Sequence, residues 1–205
     1  MMTAVEKPGS GTPCSGDNLV LSAMRLAEKA HRGQYRKAPE GEDRPIYFLH
    51  LSEVAWLLQD AGASKELIAA GWLHDVIEDC GYDRDSLAGE IGVENVADLV
   101  QWVSEPEKNH NDWHSRNQAY RSRLSSAPDE VLWLSCADKT ANLLDTIRLM
   151  EKGYKVENFL SVGSADQLDK FRSLADIFKG RVPETLYRYY SDCLARFIIL
   201  SGEDQ

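Results

Sequence analysis

No stretch of these 205 residues is apolar over the roughly 18 positions that a bilayer-spanning helix needs, so no membrane segment is expected. Cysteine is scarce. Cys14, Cys80, Cys136 and Cys193 lie far apart and form no C-x-x-C pair. That spacing argues against a disulfide framework or a zinc–thiolate site and fits a reducing, cytoplasmic setting. Positive charge is also short, with 23 Lys and Arg against 33 Asp and Glu and a net charge of −10. Extended contact with nucleic acid needs a basic surface and is therefore disfavoured. Residues 1–17 lack the apolar core of a secretory leader. Being small, polar and rich in Gly, Pro and Ser, they read as a flexible tail ahead of a single domain over 18–202.

Alternating strand patterns of useful length are absent too, whereas helical periodicity runs through most of the chain. The pattern predicts helices over 19–34, 51–61, 65–79, 85–91, 94–104, 111–126, 129–151, 164–179 and 183–200. Asp17 and Asn18 are suited to cap the first. The expected fold is all-α, one helical bundle of eight or nine helices. Between the first two helices lies a loop, "RKAPEGEDRP", that closes a locally basic segment. From Arg25 to Lys37 the net charge is +4, enough to attract a small anion to an otherwise acidic chain.

The segment "WLHDVIEDC" drives His74, Asp75, Glu78 and Asp79 in among Trp72, Leu73, Val76 and Ile77. On one helix, residues four apart share a face, so His74 would stack with Glu78 and Asp75 with Asp79. Burying such acids unpaired costs several kcal/mol each, roughly, so a cation belongs beside them. A second apolar segment, "LWLSCADKTANLLD", carries Asp138, Asn142 and Asp145 on one face, and His50 ends "PIYFLH". Together His50, His74, Asp75 and Asp138 offer two imidazoles and two carboxylates. That mixed nitrogen and oxygen set suits Mn²⁺, Fe²⁺, Co²⁺ or Zn²⁺.

The order H…HD…D on an all-α chain resembles the HD-domain metal-dependent phosphohydrolases. Within them, "AHRGQYRKAPEGEDRPIYFLH", "LHDVIEDC" and "LSCADKTANLLD" are similar to three motifs of the (p)ppGpp hydrolase group, over about Leu19 to Asp145. The resemblance implies that His50, His74, Asp75 and Asp138 hold one divalent ion, Mn²⁺ first among the metals. It implies that Glu78 and Asp79 orient and deprotonate water, that Arg36 and Lys37 hold a small phosphorylated nucleotide, and that Asn142 binds its sugar or phosphate side. The implied reaction is hydrolysis of a phosphate or pyrophosphate ester, best matched by (p)ppGpp 3′-pyrophosphohydrolysis. Leu51 stands where the group usually has proline, and Ile46 is inserted between Pro45 and Tyr47.

Two other functions compete with this one: a di-iron HD oxygenase and a non-catalytic nucleotide sensor. His110 and His114 have the four-residue spacing that can hold zinc, but they lie in a polar, loop-like stretch and read as exposed. His31 reads as a hydrogen-bonded structural histidine. The C-terminal run "LYRYYSDCLARFIIL" closes the core or forms part of a self-association face, which leaves room for a homodimer. Elemental analysis separates the two enzyme classes. The expected result is one metal per chain, unchanged by His110→Ala; two per chain would favour the oxygenase.

Overall fold

The computed structural model describes residues 19–104 and 112–202. Ten α-helices stand among them. They are α1 (Leu19–Ala30), α2 (Tyr47–Asp60), α3 (Lys65–Leu73), α4 (Val76–Asp79), α5 (Arg84–Ile91), α6 (Glu94–Val103), α7 (Trp113–Ser125), α8 (Asp129–Glu151), α9 (Ser164–Phe178) and α10 (Glu184–Ser201). Among the described residues there is no strand, only an isolated bridge between Tyr35 and Ile46. The tail and the caps expected at Asp17 and Asn18 lie outside the described residues.

Helix α8 is the axis of the bundle. Val131, Leu132, Leu134, Cys136, Ala137, Ala141, Leu143 and Ile147 are buried around most of its circumference, the pattern of a helix enclosed on several sides. It packs against α10, α2, α6, α3 and α9. Each fully buried leucine here contributes on the order of 2 kcal/mol by leaving water. Local chemistry fixes the helix ends. Ser64 caps α3 by accepting from the Leu67 amide at 3.1 Å, and Asp83 with Ser86 forms a capping box at α5.

Three expected boundaries move, each for a physical reason. α1 stops at Ala30 rather than running to residue 34, because the chain turns at 31–34 with Gly33 at φ 80°. α2 begins at Tyr47, behind an extended Ile46, so His50 sits in its first turn instead of ahead of a helix. The helix expected over 65–79 breaks at His74 and Asp75, with Asp75 at φ −100° and ψ 0°. Adjacent positions on an unbroken helix diverge by about 100°. The break instead brings His74 Nε2 within 3.0 Å of Asp75 Oδ2, so the stacked block expected on one helix does not form. His74 is buried, while Glu78 and Asp79 are exposed.

The spacing of α2 and α3 depends on Gly71. A Cβ there would stand 2.6 Å from Leu58 Cδ1 and 3.5 Å from Ala55 Cα. Gly71→Ala should therefore destabilise the chain by about 1–3 kcal/mol through overpacking, read as a shift in the midpoint of denaturant unfolding. An unchanged midpoint would mean that the two helices can part freely.

Candidate metal centre

Three separated pieces of chain meet at one point. α2 supplies His50, the α3–α4 junction supplies His74 and Asp75, and α8 supplies Asp138. The two Nε2 atoms are 3.2 Å apart. Asp75 Oδ2 lies 3.0 Å from His74 Nε2 and 3.6 Å from His50 Nε2. Asp138 Oδ1 lies 3.4 Å from His50 Nε2 and 3.6 Å from His74 Nε2. The ligand atoms of His50, His74 and Asp75 all lie within 4.8 Å of one another.

These distances fit a common ion. Ligand atoms held about 2.1 Å from one centre stand roughly 3.0–3.4 Å apart. The tautomer fits too. His74 Nδ1 is 2.9 Å from the Gly71 carbonyl, which can only accept, so Nδ1 carries the proton and Nε2 offers its lone pair. Four electron-rich atoms facing one another call for positive charge, from a bound metal ion or from a proton on an imidazole. Burial works against charge on Asp75, yet His74 and His50 outweigh it and hold that carboxyl well below its ordinary value. Burial likewise opposes a charged His74, and Asp75 and Asp138 outweigh it and raise its affinity for a proton. A proton and a divalent metal compete for that same lone pair.

A second layer of hydrogen bonds orients the carboxylates. The Tyr47 hydroxyl donates to Asp75 Oδ2 at 2.6 Å. Asn142 Nδ2 donates to Asp138 Oδ1 at 2.6 Å, and Lys139 Nζ to Oδ2 at 2.7 Å. Asn142 is fixed in turn by Arg36, whose Nη2 donates to its Oδ1 at 2.7 Å. Arg36 Nε meets Asp145 Oδ2 at 2.9 Å in a pair whose side chains are 14% and 17% exposed. The guanidinium also lies 5.5 Å from the centre of the Tyr47 ring. The amide flip of Asn142 follows from this chain, since Arg36 can only donate and the ionised Asp138 only accept.

The centre forms part of the lining of a cavity of about 740 Å³. Glu78, Asp79, Arg36, Lys37, Asn142 and Asp145 also line it, so every residue singled out from the sequence for the site reaches this one space. Arg36 and Asn142 reach it already bonded to α8. Lys37 is exposed at the loop. Much of the basic run is neutralised locally, with Arg32 on Glu28 and Lys29 on Glu90 as well as Arg36 on Asp145. His31 stacks on Tyr47 and meets Gln34 Oε1 at 2.8 Å, a structural role. His114 is exposed on α7 beside Asp166, at 3.9 Å, away from the cavity lining; His110 lies outside the described residues.

The reading from sequence gave Tyr47 and Lys139 no role in the site. Tyr47 stands three residues before His50 and so shares its helix face, and Lys139 adjoins Asp138. Both are signals in spacing, but neither is an unusual residue type for its segment.

Residues 23–159 match the HD domain family. The probable GTP diphosphokinase RSH2, chloroplastic, of Arabidopsis thaliana is 30% identical over 162 residues, covering 79% of this chain and 21% of that protein. The probable guanosine-3′,5′-bis(diphosphate) 3′-pyrophosphohydrolase of a Synechocystis species is 33% identical over 129 residues, 61% of this chain and 16% of that protein. The chain thus spans about a fifth of the length of these curated relatives. The solved structure of a metazoan ortholog of SpoT, described as hydrolysing ppGpp, superposes with a TM-score of 0.71 at 19% identity, covering 91% of this chain and 97% of that one. At that identity the likeness concerns the fold.

Asn142→Leu should weaken Mn²⁺ binding about 10–100-fold, because it removes the donor that orients Asp138. Calorimetric titration of metal-stripped protein reads this directly. Unchanged affinity would show that Lys139 alone holds the carboxylate.

Proposed function

The chain belongs to the HD domain family, and from that premise we infer that it is a metal-dependent phosphohydrolase acting on a phosphorylated nucleotide, with (p)ppGpp 3′-pyrophosphohydrolysis as its reaction. One observation carries this reading. Two imidazoles and two carboxylates converge in the lining of a cavity that two further, exposed carboxylates also line. The name of the Synechocystis relative points to the same substrate. In this reading His50, His74, Asp75 and Asp138 hold the ion, Mn²⁺ by preference. When bound, it would lower the pKa of a water towards 7 and polarise a phosphoryl oxygen.

The protein's own groups do the rest. Glu78 and Asp79 stand one turn beyond the ligands at the cavity wall and take the proton from the attacking water. The water oxygen adds to the phosphorus attached to the sugar, and the bond from that phosphorus to the sugar oxygen breaks. Pyrophosphate leaves with the new oxygen, and the proton returns to the sugar hydroxyl. Lys37 and the guanidinium of Arg36 face the nucleotide, and Asn142 reaches its sugar or phosphate side from a position already fixed on Asp138. The domain extends over 18–202 behind a short tail. A cytoplasmic site of action is supported by the free thiols of Cys80, Cys136 and Cys193.

Release of phosphate or pyrophosphate across a panel of phosphorylated nucleotides, with Mn²⁺ present, tests the reading. Chelation by EDTA should abolish turnover and added Mn²⁺ should restore it. Glu78→Ala and Asp79→Ala should each lower kcat by about 10²–10⁴ while metal stays bound. Full activity in both variants would remove them from the mechanism.

A further inference from the structure

Part of the cavity wall is built by α7, α9 and residues 159–161. One residue in it stands apart. Gln167 lines the cavity and is only 7% exposed. Its backbone N–H is satisfied by the Gly163 carbonyl at 3.1 Å. Its side-chain carboxamide has no hydrogen-bond partner among the described residues. Buried polar groups are nearly always paired, because burial without a partner forfeits the bonds that water gave. A cavity-lining amide in this state fits a site whose ligand supplies the missing bonds.

The backbone that carries Gln167 is held firmly. The residue stands in the first turn of α9, where the Ser164 N–H donates to Glu157 Oε1 at 3.2 Å. Two contacts join α9 to α7. His114 meets Asp166 at 3.9 Å, and Arg121 meets Asp169 at 3.3 Å and donates to Ser173 at 2.6 Å. The two helices therefore run side by side in the same direction. Asn117 of α7 falls between these levels, and its buried Oδ1 also lacks a partner among the described residues. Asn117 does not line the cavity, so of these two amides Gln167 is the one that a ligand reaches.

The chemistry of this wall selects the group that it meets. Ionised phosphate oxygens only accept hydrogen bonds, and the oxygen of a carboxamide would oppose them. A carboxamide offers an NH₂ donor and an oxygen acceptor side by side. The edge of a nucleobase presents the complementary pair. Phe171 lies one turn beyond Gln167 on the same helix face, and Trp113 and Phe159 line the cavity as well. Aromatic surface suits the flat faces of a base.

We propose that Gln167 reads the nucleobase, which lies against the α7–α9 wall while the reacting phosphate is at the metal centre. The proposal rests on the hydrolase reading above and deepens it. It assigns recognition of the substrate's uncharged end to a residue outside the metal centre, and so makes Gln167 a determinant of specificity.

The test is calorimetric titration of the full chain, stripped of metal with EDTA so that no turnover occurs. Three ligands are compared: the 3′-diphosphates of guanosine, of adenosine and of purine riboside. The base of the last has the same two rings without the exocyclic oxygen or amino groups. The native chain should bind the guanosine ligand at least about tenfold more tightly than the purine ligand, the scale of one or two hydrogen bonds. Gln167→Leu should bring guanosine down to the purine level and leave the purine ligand unchanged. Gln167→Glu can only accept, so it should keep guanine, whose ring N–H and amino group both donate, and reject adenine. The ratio of guanosine to adenosine affinity should then rise about tenfold or more, a change that a merely structural glutamine would not produce. Absence of the native preference, its survival in Gln167→Leu, or an unchanged ratio in Gln167→Glu overturns the assignment. Phosphate release by the Mn²⁺-loaded native chain is read separately. Its absence would sink the hydrolase reading, while the role of Gln167 would still stand or fall on the titration.

Discussion

The structure turns on four electron-rich atoms that face one another inside an apolar bundle. Each imidazole Nε2 of His50 and His74 stands 3.0–3.6 Å from both Asp75 and Asp138. Without a cation, such an arrangement would cost several kcal/mol per buried charge, roughly. The surrounding fold is arranged to keep it in place. α2, the α3–α4 break and α8 each bring part of it, and α8 is held by packing against five other helices. Stability and function therefore draw on the same contacts. The leucines that enclose α8 also fix where Asp138 points.

Orientation comes from hydrogen bonds reaching in from outside this cluster of four side chains. Asp138 is gripped at both oxygens, by Asn142 and Lys139, and Asp75 by Tyr47. Arg36 ties the two sides together, bonded to Asn142 and lying against the Tyr47 ring. A residue expected from its position to meet substrate thus also supports the centre. Removing such a half-buried charge would leave Asp145 and Asn142 short of a partner, and that cost would fall close to the reacting groups.

Much of this was legible in the sequence, for a definite reason. His74, Asp75 and Asp138 stand out because acid and imidazole side chains are costly in apolar helices, and the spacing of Asp138, Asn142 and Asp145 placed them on one face. The break after Leu73 was not legible, since the periodicity of 65–79 is helical throughout and the turn is decided by tertiary bonds from His74 and Asp75. Tyr47 was given no part in the site because its segment reads as lying ahead of a helix, and only the earlier start of α2 puts it on the face of His50.

The loop ahead of α2 has a consequence for how such a protein can change. Its base is pinched shut by two backbone bonds, Arg36 N to the Pro45 carbonyl at 2.8 Å and Tyr47 N to the Gln34 carbonyl at 2.9 Å. Residues 37–44 lie beyond the pinch, tied back by the buried Pro39, the Glu42–Lys152 ion pair and the bond from Arg44 to the Arg36 carbonyl. The entropy of closing a longer ring grows only slowly with length. Insertions and deletions there change the ring without moving the pinch that sets the start of α2 and His50. The molecule thus separates a segment tied down at a few points, which edges the cavity, from the buried cluster of His50, His74, Asp75 and Asp138. Lineages could revise what enters the cavity through that segment while leaving the chemistry beneath untouched.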